Sequence, residues 1–295
     1  MTDGDLTSRN DAWPAPAKLN LFLHVTGRRS DGYHTLQTAF LFLDHGDQMY
    51  FTVRDDGLIS RRGDMPGVAA DDDLAVRAAR LLQTAAGCGV GADITVHKRL
   101  PIGGGVGGGS SNAATTLVAL NRLWDAGLDE DALAELGLRL GADVPVFVRG
   151  RSAWAEGVGE VLTPIDFPPA WYVVLIPPCT VSTAEIFGAP ELTRNTPPLR
   201  ISAFRFGGGR NDCQPVVRER YPQVAQAIDA LAEFGDSRMT GTGACVFAPF
   251  ADEAHAAAAL ARCRAAGWTG FMARGRNESP LLDRLAGEAR QASAK

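Results

Sequence analysis

Six of the seven residues from Gly103 to Gly109 are glycine, and the run continues through Ser110 and Ser111 into the helix-like segment Asn112–Leu120. Glycine in regular structure is less favourable than alanine by roughly 0.5–1 kcal/mol, so this density marks a place where side chains would obstruct something. Strand-like residues 92–97 precede the run and a helix follows it, which sets it inside a domain and not in a linker. An anion is the expected reason. Bare amides can close around phosphate oxygens, and a helix N-terminus adds about half a positive charge. The candidate phosphate-binding segment is Pro101, Ile102, Gly103, Gly104, Gly105, Val106, Gly107, Gly108, Gly109, Ser110 and Ser111. The two hydroxyls stand where they can cap the helix, touch a phosphate or meet a phosphate-bound magnesium ion.

Several known glycine loops do not fit. No Gly-Lys-Ser/Thr follows the run, which removes the P-loop. The spacing G-x-G-x-x-G is present at Gly103, Gly105 and Gly108, but Lys98-Arg99-Leu100-Pro101 separates it from the strand-like Ile94–His97. About a hundred residues also precede it, whereas the dinucleotide fingerprint opens a βαβ unit. The His-Arg-Asp and Asp-Phe-Gly markers of protein kinases are missing.

Two further segments narrow the choice. Pro16–Val25 alternates with period two, placing Leu19, Leu21, Leu23 and Val25 on one strand face and Lys18, Asn20, Phe22 and His24 on the other. With the aliphatic face on the core, Lys18 and Asn20 share a polar surface or cleft. Met239–Ala244 is a second glycine turn, running into the strand-like residues 245–248.

Together the three segments resemble the GHMP kinase superfamily of small-molecule kinases: an opening substrate motif, a phosphate loop and a closing glycine motif. The resemblance extends through Thr26–Gln37 and Gly141–Pro145 and covers the chain from about Pro16 to Arg274. It implies an α+β, two-domain architecture, with an N-terminal domain like domain 2 of ribosomal protein S5, a ferredoxin-like C-terminal domain and the active site between them. Punctuation at Phe167-Pro-Pro-Ala170 places the boundary near Asp166, giving domains 1–166 and 167–295. The resemblance also implies ATP, as Mg-ATP, for phosphoryl donor. The implied acceptor is the 2-hydroxyl of 4-diphosphocytidyl-2-C-methyl-D-erythritol, in non-mevalonate isoprenoid precursor biosynthesis. Another GHMP small-molecule kinase is the nearest alternative. Outside the class stand a nucleotide-dependent oxidoreductase built on the Gly103 fingerprint and a nucleotide sensor without catalysis.

The same resemblance carries a catalytic base onto Asp143 and its charge partner onto Lys18. Locally, Asp143 before Val144-Pro145 equally reads as a helix N-cap with proline in the first turn. Asn20, Tyr33 and His34 would read the acceptor, with Phe187 closing an aromatic clamp around the base; a core phenylalanine is the other reading of Phe187. Lys98 either reaches ATP or is a solvated charge before a turn. Asn211-Asp212 resembles a family signature to which no role is attached. The magnesium ligands are unassigned.

Composition excludes other classes. A net charge of −5 and a pI near 5.6 argue against a nucleic-acid surface. The five scattered cysteines contain no C-x-x-C pair, as expected of reduced thiols. The first dozen residues are polar and acidic, unlike a signal peptide, and no apolar run approaches the roughly 20 residues of a membrane span. A soluble cytoplasmic protein with a small-molecule partner is expected.

Overall fold

A computed structural model describes residues 12–63, 67–204 and 208–293 of the chain. The reading of the N-terminal residues as unlike a signal peptide, and Gly207 of the Gly207–Gly209 run, lie outside the described residues.

β1 (Trp13–Arg28) and β2 (His34–Arg54) form a long antiparallel ribbon. Thr38–Leu43 and Gln48–Val53 both belong to the single strand β2. The polar segment Asp44–Asp47 between them stays in the ladder because Gly46 lies opposite Pro16, where a Cβ would stand 2.3 Å from the Ala15 carbonyl oxygen.

The alternation expected for β1 does not persist along it. Its register against β2 shifts between Asn20 and Leu23 and again between Val25 and Gly27. A bulge of this kind exchanges the two faces of a strand. Leu19, Leu21 and Phe22 therefore share one core cluster with Trp154, Tyr172 and Phe247. Leu23 crosses to the side of Lys18 and Asn20, where it lines the same cleft, and with Val25 joins a second cluster. The single aliphatic face of Leu19, Leu21, Leu23 and Val25 does not form.

β3 (Ile59–Arg62) lies parallel to β4 (Gly91–His97), which pairs antiparallel with β2. Between them runs α1 (Leu74–Ala86), started by the Asp73 carboxylate accepting from the Ala75 amide and stopped by Gly87 at φ 60°. After β4 come α2 (Gly108–Leu123), α3 (Glu130–Leu138) and α4 (Val144–Arg149). α2 begins at Gly108, ahead of the helix-like Asn112–Leu120, so the last glycines are its first turn. Leu82, Leu117, Leu120, Leu133 and Phe147 of these helices fill the first core cluster against β1, β2 and β4.

β5 (Ala153–Glu156) pairs with β2 and with β6 (Val161–Pro164), neither of which announces itself in the sequence. Residues 165–170 then lead to β7 (Trp171–Leu175), α5 (Thr183–Gly188), α6 (Gln214–Arg220) and α7 (Pro222–Ala232). The chain closes through β8 (Arg238–Met239), β9 (Val246–Phe250), α8 (Glu253–Ala265), β10 (Gly270–Arg276) and α9 (Pro280–Ser293). β10 pairs with β7 along Gly270–Arg274 and with β2 through Gly275 and Arg276. Among the described residues one ten-stranded sheet thus runs through both halves, in the order β3-β4-β2-β10-β7-β9-β8, with β1 and β5 attached at β2 and β6 attached at β5. α9 returns to β1, and its Leu281 is buried in the first core. None of the cysteines is in a disulfide. No helix of the described residues is long and apolar enough to cross a membrane.

Candidate active site

The glycine loop joins β4 to α2 along the wall of a cleft of about 630 Å³. Gly103, Gly105 and Gly107 have φ of 69°, 74° and 76°, a region that side chains disfavour. Gly107 is the N-cap of α2, which removes capping from the three roles open to Ser110 and Ser111; both lie within its first turn. The first amides of that helix have no intrahelical acceptor and are free for a ligand. Pro101–Ser110 line the cleft except for Val106, whose side chain is buried in the core. The Ser110 side chain is at the cleft, whereas the Ser111 hydroxyl is buried and has no hydrogen-bond partner among the described residues. The glycines also serve a purpose other than anion access. A Cβ at Gly105 would lie 2.4 Å from the Thr240 carbonyl oxygen, and one at Gly107 would lie 2.7 Å from the Phe147 ring.

The closing glycine turn thus packs directly on the phosphate loop. The Cys245 amide donates to the Gly104 carbonyl at 3.0 Å, and the Thr240 hydroxyl accepts from the Asn20 amide at 2.9 Å. Asn211 holds this turn from behind, its carboxamide donating to the carbonyls of Met239 (2.8 Å) and Gly241 (2.7 Å). Asp212 accepts from the Val25 amide at 2.8 Å, just past the β1 bulge. The signature pair without a role in the sequence is accordingly a brace between β1 and the closing turn.

Lys18 and Asn20 project from β1 into the cleft beside the loop. The Lys18 ammonium is 3.1 Å from an Asp143 oxygen, donates to Asn20 Oδ1 and lies 5.2 Å from the centre of the Phe40 ring. Asn20 in turn donates to Thr38 Oγ1 at 2.9 Å. Asp143 occupies the N-cap position of α4, with Pro145 in the first turn, yet its carboxylate makes no capping bond. The position is a cap; the side chain faces the cleft and Lys18.

Lys98 lines the cleft and is not a solvated charge. Its ammonium is 2.5 Å from the fully buried Asp47 carboxylate and 3.3 Å from Asn112 Oδ1. Asp47 also accepts from the amides of Arg99 and Leu100 and from Asn112 Nδ2, which ties β2, the approach to the loop and α2 to one carboxylate. Sequence reasoning missed Asp47, because its partners lie about 50 and 65 residues away along the chain.

Tyr33, His34 and Phe187 line an adjoining pocket of about 560 Å³, which shares Leu36, Ala142, Val158, Thr183 and Phe187 with the main cleft. Tyr33 is 66% exposed. The His34 ring stacks on Phe187, centroids 5.1 Å apart, and its Nε2 accepts from Arg194 Nε at 3.0 Å. Burial, then the charges of Arg194 and Arg28, hold the His34 pKa below its ordinary value. Among the described residues no group of three or more His, Cys, Asp or Glu side chains could hold a metal.

This constellation has relatives. The family model for the GHMP kinases N terminal domain matches residues 73–151, and that for the GHMP kinases C terminal domain matches residues 191–267. A protein of Alkalilimnicola ehrlichii named 4-diphosphocytidyl-2-C-methyl-D-erythritol kinase is 63% identical over 276 residues, 94% of this chain and 94% of its own. One of the same name from Halorhodospira halophila is 61% identical over 281 residues, 94% of this chain and 97% of its own. A crystal structure of 4-(cytidine 5'-diphospho)-2C-methyl-D-erythritol kinase superposes with a TM-score of 0.78 at 34% identity, over 90% of this chain and 98% of that one. A mevalonate kinase shares the fold, with a TM-score of 0.66 at 15% identity over 90% of this chain and 99% of its own.

Proposed function

The chain belongs to the GHMP kinases, among the 4-diphosphocytidyl-2-C-methyl-D-erythritol kinases, and from that premise we propose that it transfers the γ-phosphoryl group of ATP to the 2-hydroxyl of 4-diphosphocytidyl-2-C-methyl-D-erythritol. The observation that carries this reading is the Lys18–Asp143 pair, set in one continuous cleft between the glycine loop and the aromatic pocket.

Phosphoryl transfer asks for a cradle for the phosphates, neutralised charge and an acceptor hydroxyl free to lose its proton. The amides at the start of α2 form the cradle, and Lys98 stands at its edge. A hydroxyl beside Asp143 attacks the γ-phosphorus, its proton passes to the carboxylate, and the bond to the β,γ-bridging oxygen breaks to release ADP. Lys18, 3.1 Å away, holds the Asp143 carboxylate in place beside the attacking hydroxyl. Asp143, 35% exposed, can return the proton to water afterwards. Magnesium would arrive on the nucleotide phosphates, supplying charge neutralisation. The oxygens at the cleft, Ser110 Oγ and one Asp143 carboxylate, suit an ion that takes one or two protein ligands and keeps phosphate and water for the rest. At the other end, Tyr33 and Phe187 border a pocket sized for a base, and His34 offers a polar edge.

A coupled ADP-release assay tests the proposal, with the cytidyl acceptor, mevalonate and homoserine supplied in turn. Turnover confined to the first is expected. Equal turnover of either other acceptor, or none of the first, overturns it.

A further inference from the structure

The Lys18 side chain is 3% exposed, so its ammonium has three hydrogens to place and little water to receive them. An Asp143 oxygen stands 3.1 Å from it, and Asn20 Oδ1 accepts from it. Two side-chain oxygens do not complete the shell of a cation buried to this degree. The nitrogen also lies over the face of the Phe40 ring, 5.2 Å from its centre. Phe40 is itself buried, yet it belongs to the lining of the cleft. On β2 it pairs with Asn20 of β1, so the strand ladder brings ring and carboxamide to the same ammonium. Gly107 lies along the lysine stem, where a Cβ would stand 3.1 Å from Lys18 Cε, and the Lys18 amide donates to the Val106 carbonyl at 3.0 Å. The stem is thereby held along the phosphate loop, with the charge over the ring.

We propose that Phe40 is a positioning residue for the phosphoryl transfer: its ring face stands in for water on the Lys18 ammonium and holds that charge against Asp143. An aromatic face attracts a cation through its quadrupole within about 6 Å of the ring centre, and more strongly where water is excluded. It also differs from an oxygen ligand in a way that suits this site. The ring binds the charge without being able to take a proton, so it does not compete with Asp143 for the proton of the acceptor hydroxyl. An aliphatic side chain at the same place would fill the core but leave the ammonium free to follow the nucleotide phosphates away from the carboxylate. The inference rests on the proposed function, since it takes Asp143 as the proton acceptor; the contact between ring and ammonium does not depend on it.

The experiment replaces Phe40 in the full chain by mono-, di- and trifluorinated phenylalanine, which keep the shape of the ring and progressively drain the negative charge from its face. In the ADP-release assay with the cytidyl acceptor, kcat is expected to fall stepwise along the series, by roughly tenfold at three fluorines, while KM for ATP holds. A flat series overturns the proposal. The second readout is denaturant unfolding of the same series, once with Lys18 and once in Lys18→Met. The midpoint is expected to drop with each fluorine only where the ammonium is present. A ring that merely packs moves both series alike, and that result overturns the proposal equally. If the wild type fails to turn over the cytidyl acceptor at all, it is the proposed function that falls, and the unfolding series still decides whether the ring holds Lys18.

Discussion

The Lys18 ammonium and the Asp143 carboxylate, 3.1 Å apart, sit in unequal surroundings: the lysine side chain is 3% exposed and the aspartate 35%. The cation is fixed and the anion faces the cleft, which is the arrangement a proton acceptor needs beside a mobile substrate. Asp143→Asn keeps the shape and removes only charge and basicity. No capping bond is lost and the amide oxygen still accepts from Lys18, so the fold should persist, with Tm lowered by the uncompensated charge of the buried ammonium. General-base assistance is worth about 10²–10⁴-fold, so kcat should fall at least a hundredfold in the ADP-release assay. Near-normal turnover would remove Asp143 from the chemistry.

Lys18→Met should also lower kcat, and the double variant with Asp143→Asn should lose less than the product of the two single losses, since residues acting as a unit are not additive. Four rate measurements close the cycle. Independent, multiplicative losses would mean that Lys18 serves Asn20 and the Phe40 ring and not the carboxylate.

Asp47→Ala probes a structural tie behind the phosphate loop. It removes an acceptor from Lys98, Arg99, Leu100 and Asn112 together and strands a largely buried ammonium. Breaking a buried pair from one side costs about 3–5 kcal/mol, so denaturant unfolding should show a loss of that size together with a raised KM for ATP. An unchanged unfolding midpoint would contradict the tie.

Gly105→Ala and Gly109→Ala separate the two duties of the glycine run. The first sets a Cβ against the Thr240 carbonyl at a φ of 74° and should destabilise the fold by about 1–3 kcal/mol. At Gly109 the nearest atom to a new Cβ is Leu74 Cδ1 at 3.3 Å, and the position is an exposed one in the first turn of a helix. Stability should hold there while calorimetric affinity for a non-hydrolysable ATP analogue falls. Equal stability losses in both variants would contradict the division.

The acceptor KM should rise as pH falls through the folded-state pKa of His34, which lies below the ordinary value near 6.5. The folded-state pKa of His34 is lowered, by burial first and then by Arg194 and Arg28. The stability tied to its neutral form is therefore fully present above the unfolded value near 6.5 and is lost as pH falls through the folded value. Protonated Nε2 cannot accept from Arg194, so the pocket loses its order over the same range. His34→Gln should abolish the climb in acceptor KM, whatever its absolute level; an identical pH profile in that variant would assign the titration to another group.

The lining of the cleft was legible where neighbours in sequence stand out, as in the glycine run and the alternating Lys18–Asn20 strand. Asp143, Tyr33 and His34 were singled out through the family resemblance, and their local sequence reads equally as a helix cap and a turn. The helix after the glycine run was legible as Asn112–Leu120, although it begins four residues earlier, at Gly108. What was hidden depends on partners far along the chain. The slip of β1 against β2 is invisible in either strand alone, so Leu23 and Val25 were placed on the wrong face. The Asn211 carboxamide finds the Met239 and Gly241 carbonyls across about 30 residues, and Arg194 finds His34 across 160. Long-range hydrogen bonds of polar side chains leave no periodic trace.

β2 carries His34 at the aromatic pocket and Thr38 beside the Lys18–Asp143 pair, where Thr38 is bonded to Asn20 and Asn20 to Lys18. Four residues of extended strand span roughly 13 Å, a distance that no hinge between the two halves can alter. Under the proposed function the strand is a ruler. An acceptor is measured by whether one molecule reaches both marks, its base at His34 and its hydroxyl at Asp143. A sugar alcohol without its nucleotide, or a nucleotide with a shorter arm, touches one mark and leaves the other in water.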